Sequence, residues 1–207
     1  MSVQESASIQ RGNSRSFGFL LDAVASGSIA TVISVVTYAT LIGVSAQFSF
    51  HLNFTPVPIT LQTFAVLFGG AALGSKRAVS GTLLYMIVGL IGLPWFAGAT
   101  GGISVASSPS MGYIVGFVFA SYLVGLLAER GWDRNVAKTL VLVVAGNAVI
   151  YLFGASWLAA SLGITASKAY QLGVSPFLIG DALKAILSTV ALPVAWLGLS
   201  KIESHKR

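Results

Sequence analysis

Cysteine is absent from the 207 residues, which excludes disulfides, thiolate metal sites and thiol nucleophiles. Histidine is nearly so: only His51 and His205 occur, and both lie near the ends of apolar segments, so a His-based zinc or catalytic site has almost no ligands to draw on. Charge is scarce as well. Asp, Glu, Lys and Arg make up 9% of the chain against 55% hydrophobic residues, and mean hydropathy is +0.85. A water-soluble domain of this composition would expose a large apolar surface, so the chain reads as an integral membrane protein. Its length suits one compact bundle, because each spanning helix needs about 20 residues plus a connection.

Motifs of several reaction classes are missing too. There is no G-x-x-x-x-G-K-[ST] phosphate loop, and GSK at 74–76 is not one. Neither HExxH nor a GxSxG elbow occurs, which leaves an intramembrane enzyme short of a nucleophile or base beyond Asp181. The formal charge of +6 is spread between apolar segments without aromatic clustering, which argues against nucleic acid as a partner. Residues 1–16 are polar and Ser-rich, with Arg11 and Arg15 but no apolar signal-peptide core, and are expected to form a cytoplasmic tail.

What is present is a series of six apolar runs, at about 29–50, 58–73, 78–97, 111–128, 137–161 and 175–199. The expected fold is therefore all-α, with six transmembrane helices in a single domain over 17–201 and a short tail over 202–207. The second run is short enough to be tilted or partly re-entrant, and 17–25 could form an amphipathic turn at the inner surface. With the N-terminus inside, Arg11, Arg15, Lys76, Arg77, Arg130, Arg134, Lys138, Lys201, Lys206 and Arg207 fall on the inner side, ten of the twelve basic residues. Both termini are then cytoplasmic. The outer connections, 51–58, 96–110 and 163–173, are rich in Gly, Pro, Ser and Thr and are read as loops that bend and approach a ligand closely.

Opposite charges within an apolar run, FLIGDALKAIL at 177–187, need an explanation, since each costs about 2.5 to 3.5 kcal/mol at mid-membrane. Asp181 and Lys184 are three apart on one helical face, Ser188 continues the stripe, and Leu183, Ile186, Leu187 and Val190 fill the rest. The pair either neutralises itself or offers an acceptor and a donor to a small polar solute. Asn147, Tyr151 and Gln62 lie at overlapping expected depths on two other helices and complete a candidate polar pocket. Separately, Ala39, Gly43 and Ala46 follow i, i+4, i+7 spacing, a small-residue stripe open to another helix of the same chain or to a partner; FGGAALG at 68–74 is equally ambiguous. The residues favour a solute-binding membrane protein, then an intramembrane enzyme, then a scaffold.

The stretch TPVPITLQTFAVLFGGAALG (55–74) resembles the BioY family, the biotin-specific S components of energy-coupling factor (ECF) transporters. The likeness continues in LLYMIVGLIGLPWFAGATGG (83–102), MGYIVGF (111–117) and PFLIGDALKAIL (176–187) and covers roughly 37–199. One departure is visible: SSPSMGY (107–113) stands where the family usually reads like GPTGGY, so this outer connection is shaped differently. The resemblance implies the ECF S-component fold in the cytoplasmic membrane, with biotin captured near the outer face and no cofactor. Asp181 would then accept from a ureido N–H, Asn147 would complement the ureido group, and Lys184 would stabilise its oxygen or orient Asp181. Gln62 and the backbone of Gly98, Gly101 and Gly102 would lie nearer the valerate, and Tyr151 would cover the rings. The implied partners are a transmembrane coupling protein and two cytoplasmic ATPases, docking partly through Ala39, Gly43 and Ala46, within the lipid. Self-association or slow solitary transport stays open, as does another small vitamin in place of biotin.

Overall fold

The structure is a computed structural model that describes Leu20 and residues 27–205, the last seven of these by backbone alone. The expected tail over 1–16 lies outside the described residues, as do the turn over 17–25, apart from Leu20, and the last two residues of the 202–207 tail. Long helices dominate: α1 (Ser28–Gln47), α2 (Gln62–Leu73), α3 (Ser75–Ile91), α4 (Met111–Glu129), α5 (Val136–Leu162), α6 (Ala166–Gly173) and α7 (Leu178–His205). A two-residue antiparallel pair, β1 (Ser49–Phe50) with β2 (Ile59–Thr60), closes the connection between α1 and α2 in the register Ser49 to Thr60.

Among the described residues four stretches are long and apolar enough to cross a membrane: α1, α4, α5 and Ala166–Gly198, which joins α6 to most of α7. Their unpartnered sides are apolar and open. On α7, Ile179, Leu183, Ile186, Leu187 and Val190 are all exposed, Ile179 by 80%, on the side away from Asp181. Such faces are stable only against hydrocarbon, and this is a membrane protein. At 12 residues α2 is about 18 Å long, well short of the bilayer's hydrocarbon core of about 30 Å.

Local sequence sets the helix ends. Gly74 stops α2 and starts α3 in one residue, at φ +78°, a conformation that glycine adopts without a Cβ clash. The first free N–H of α3 is met from another helix: Glu129 Oε1 accepts from Ser75 N and also from Ser75 Oγ, each at 2.8 Å. A carboxylate there also complements the helix dipole. Asn135 caps α5 by accepting from Ala137 N and Lys138 N, and Gly163 ends it in the left-handed region.

Packing depends on aromatic rings seated on glycines. The Tyr113 ring of α4 lies over Gly154 of α5, and Trp157 of α5 over Gly112 of α4. Gly69, within the FGGAALG stretch, lies beneath the ring of Tyr38, whose hydroxyl donates to Val66 O at 2.9 Å, so that stretch serves internal packing. The Ala39, Gly43 and Ala46 stripe, expected to help dock a partner, is corrected in the same way. Ala39 and Ala46 are fully buried, and a Cβ on Gly43 would come within 2.9 Å of the Trp95 ring. The chain itself covers that stripe.

The connection 163–173, read from sequence as a loop, contains α6. Thr165 caps it by accepting from Lys168 N, and its own Ala169 and Gly173 are buried. Eight residues with one narrow buried side carry too little apolar periodicity to stand out from a Gly- and Ser-containing connection.

Candidate substrate-binding site

A cavity of about 700 Å³ lies among the N-terminal parts of α2, α4 and α7, the middle of α5 and the connections after α1 and α3. Aromatic and aliphatic side chains, among them Phe96, Ile114, Phe117 and Ile150, form much of its wall. The polar groups converge at one place. Lys184 Nζ donates to Asp181 Oδ1 at 2.9 Å, to Thr63 Oγ1 at 2.9 Å and to Thr60 O at 2.8 Å. Thr63 in turn donates to Asp181 Oδ1 at 3.1 Å, and the Tyr151 hydroxyl donates to Asp181 Oδ2.

Counting donors shows what this cluster can still do. An ammonium has three protons, and all three of Lys184's are engaged by the protein. A carboxylate offers about four acceptor positions, of which Asp181 fills three, leaving one on Oδ2. The cluster is therefore an acceptor for an N–H donor, and Lys184 orients Asp181 with no proton to spare. Asp181 is 6% exposed, so its negative charge is tolerable only because Lys184 and two hydroxyls surround it. Asp181 and Lys184 lie about 5 and 9 Å inside the start of α7, which follows a 3₁₀ turn at Ser175–Phe177 containing Pro176.

Of the residues singled out in the sequence, Gln62, Gly101, Tyr151, Asp181 and Lys184 line this cavity together. Gln62 donates to the Tyr85 hydroxyl at 2.7 Å, which leaves one amide proton. A side chain on Gly101 would come within 2.5 Å of Leu93 O, so the backbone passes there too closely for any other residue. Gly98, Gly102 and Asn147 do not line the cavity. Gly98 and Gly102 instead shape its rim, at φ +71° and +96°, beside the Phe96 N to Thr100 O bond at 3.0 Å. Asn147 lies one turn from Tyr151 on α5, toward the helix start, with its Oδ1 buried and unpartnered among the described residues.

Thr60 and Thr63 escaped the sequence reading, because a threonine near a helix start looks like an ordinary cap or packing residue. Their use as Lys184's partners is set by a contact spanning more than a hundred residues. His51 and Tyr113, also cavity-lining, were missed likewise. The Tyr113 hydroxyl donates to Gly173 O at 2.7 Å and Thr55 Oγ1 to Leu172 O at 2.6 Å, which fastens the end of α6 to α4 and to the 51–58 connection.

Residues 15–201 match the model of the BioY family. The chain is 31% identical over 166 residues to the biotin transporter BioY of Rhizobium etli, covering 77% of this chain and 88% of that protein. It is 34% identical over 175 residues to the biotin transporter BioY of Thermotoga maritima, covering 84% and 98%. A crystal structure of the S-component for biotin from an ECF-type ABC transporter superposes with a TM-score of 0.74 at 26% identity, covering 82% of this chain and 93% of that one.

Proposed function

This chain belongs to the BioY family, and from that premise and the cavity's chemistry we propose that it captures biotin and passes it across the membrane as the S component of an ECF-type transporter. The observation that carries the reading is the Asp181 carboxylate, buried at the cavity wall with one acceptor position unfilled. A ureido N–H of biotin fills it. The apolar wall of Phe96, Ile114, Phe117 and Ile150 takes the fused rings, and Gln62's second amide proton is available to a ligand oxygen. Excluding water from such a site strengthens each polar contact.

The domain over 17–201 spans the cytoplasmic membrane with six helices, α6 lying outside that count, and with both termini inside. Support comes from charge. The connections that line the cavity, 51–58 and 92–110, carry no Lys or Arg, whereas Lys76, Arg77, Arg130, Arg134 and Lys138 gather at the other turns. The cavity then opens outward. Energy comes from a transmembrane coupling protein and two ATPases, since this chain has no phosphate loop.

Titration calorimetry on the purified protein with biotin and a panel of other vitamins tests the reading. Biotin alone is expected to bind tightly, and tight binding of a different vitamin with none of biotin overturns it.

A further inference from the structure

The polar groups just described serve only one end of biotin; its other end is a carboxylate. Lys184 has no proton left for it, and Asp181 would repel it. The carboxylate therefore turns away from the cluster and toward the mouth. Among the described cavity-lining residues, His51 is the one other side chain able to carry positive charge; the remaining titratable ones are Tyr113, Tyr151, Asp181 and Lys184. His51 follows β1 directly and is exposed, so its imidazole reaches water and cavity together. The surroundings carry no opposing charge: 48–62, 92–110 and 163–177 contain no Asp or Glu, and their basic groups are His51 and Lys168, of which Lys168 does not line the cavity.

From this division of labour we infer that His51 is the specificity-determining residue for the ligand's carboxylate, through an imidazole N–H donated to the valerate oxygen at the cavity mouth. The inference rests on the biotin reading above and adds to it a direction of binding, ureido group inward and carboxylate outward. Ser104, Ser108 and Ser110 also line the cavity and can supply neutral donors, but none discriminates an anion from its ester by charge.

Calorimetry with biotin and biotin methyl ester, on the full-length wild type and on His51→Ala, His51→Arg and Lys168→Ala, tests it. Wild type is expected to favour the acid over the ester by about tenfold, a modest value because the site is at a solvated rim. His51→Ala should bring that ratio close to one while leaving ester affinity within about twofold, and His51→Arg should restore it. Lys168→Ala should leave it unchanged. If wild type binds biotin but shows no preference, or if His51→Ala weakens both ligands equally or neither, the role of His51 is overturned and the biotin reading stands. If wild type binds neither ligand, both fall.

Discussion

Asp181 is held by three donors from three helices: Thr63 of α2, Tyr151 of α5 and Lys184 of its own α7. Removing any one changes how strongly the carboxylate attracts a ligand proton. Tyr151→Phe keeps the ring and deletes the donor to Oδ2, the oxygen with the free position. A hydrogen bond to a charged group is worth about 1.5 to 3 kcal/mol, so biotin affinity is expected to change by about tenfold or more in calorimetry, with little change in unfolding temperature. An unaltered affinity would mean that Oδ2 is not presented to the ligand. Charge in an apolar helix made Asp181 and Lys184 legible in the sequence, and helical spacing put them on one face. Thr63 was not legible, because threonine carries no comparable penalty that would demand an explanation. Asn147 stood out in the sequence as an amide in a spanning helix, and in the structure it lies one turn from the cavity-lining Tyr151 without lining the cavity itself.

Among the elements, α7 is gripped at both ends. Its N-terminal part carries the ligand pair, and its C-terminal part is clamped by the short 3₁₀ turn Trp132–Arg134. Trp196 Nε1 donates to Asp133 Oδ2 at 2.5 Å, while the Arg134 guanidinium lies 4.2 Å above the same ring. Asp133 is fully buried, and its Oδ1 has no partner among the described residues. Burial pushes its carboxyl above the usual range, with the Trp196 N–H, its own backbone and Arg134 pulling the other way. A carboxyl that keeps its proton longer folded than unfolded binds more protons in the native state between the two pKa values. Its contribution to stability is therefore greatest in acid and declines as pH rises from about 4 through the raised value. Asp133→Asn keeps an oxygen for the indole and is expected to remove that decline, measured as unfolding temperature against pH in detergent. Asp133→Ala, which leaves the indole N–H without its partner, should cost about 1 to 3 kcal/mol in acid and less as pH rises through the raised value. A pH profile identical in wild type and Asp133→Asn would contradict this account. The turn was legible only as a charged inner connection, because neither Asp133's burial nor its pairing with a tryptophan sixty-three positions away follows from local pattern. The small residues of α1 show the same limit: spacing marked Ala39, Gly43 and Ala46 as a close-packing stripe, but only the fold supplies Trp95 to cover it.

For the whole molecule, six apolar runs in the sequence correspond in place to α1–α5 and α7, although only four stretches among the described residues are long and apolar enough to span by themselves. The apolar runs end close to strong local stops and caps that the structure shows at Gly74, Asn135 and Gly163. The short α2 was legible as short. The amphipathic α6 was not. The inside–outside assignment can be checked cheaply, since the chain has no cysteine to give background labelling. Lys138→Cys is expected to react with a membrane-impermeant maleimide only in inverted vesicles, and Lys168→Cys only in intact cells; the reverse pattern would turn the cavity toward the cytoplasm.

The central claim is that Asp181, held by Lys184, receives a donor from biotin at the inner wall of the cavity. A crystal structure of the protein with biotin bound measures this directly. The account expects a ureido nitrogen within about 3 Å of Asp181 Oδ2 and the carboxylate toward the mouth. Biotin seated elsewhere, or reversed with its carboxylate against the Asp181–Lys184 pair, would contradict it.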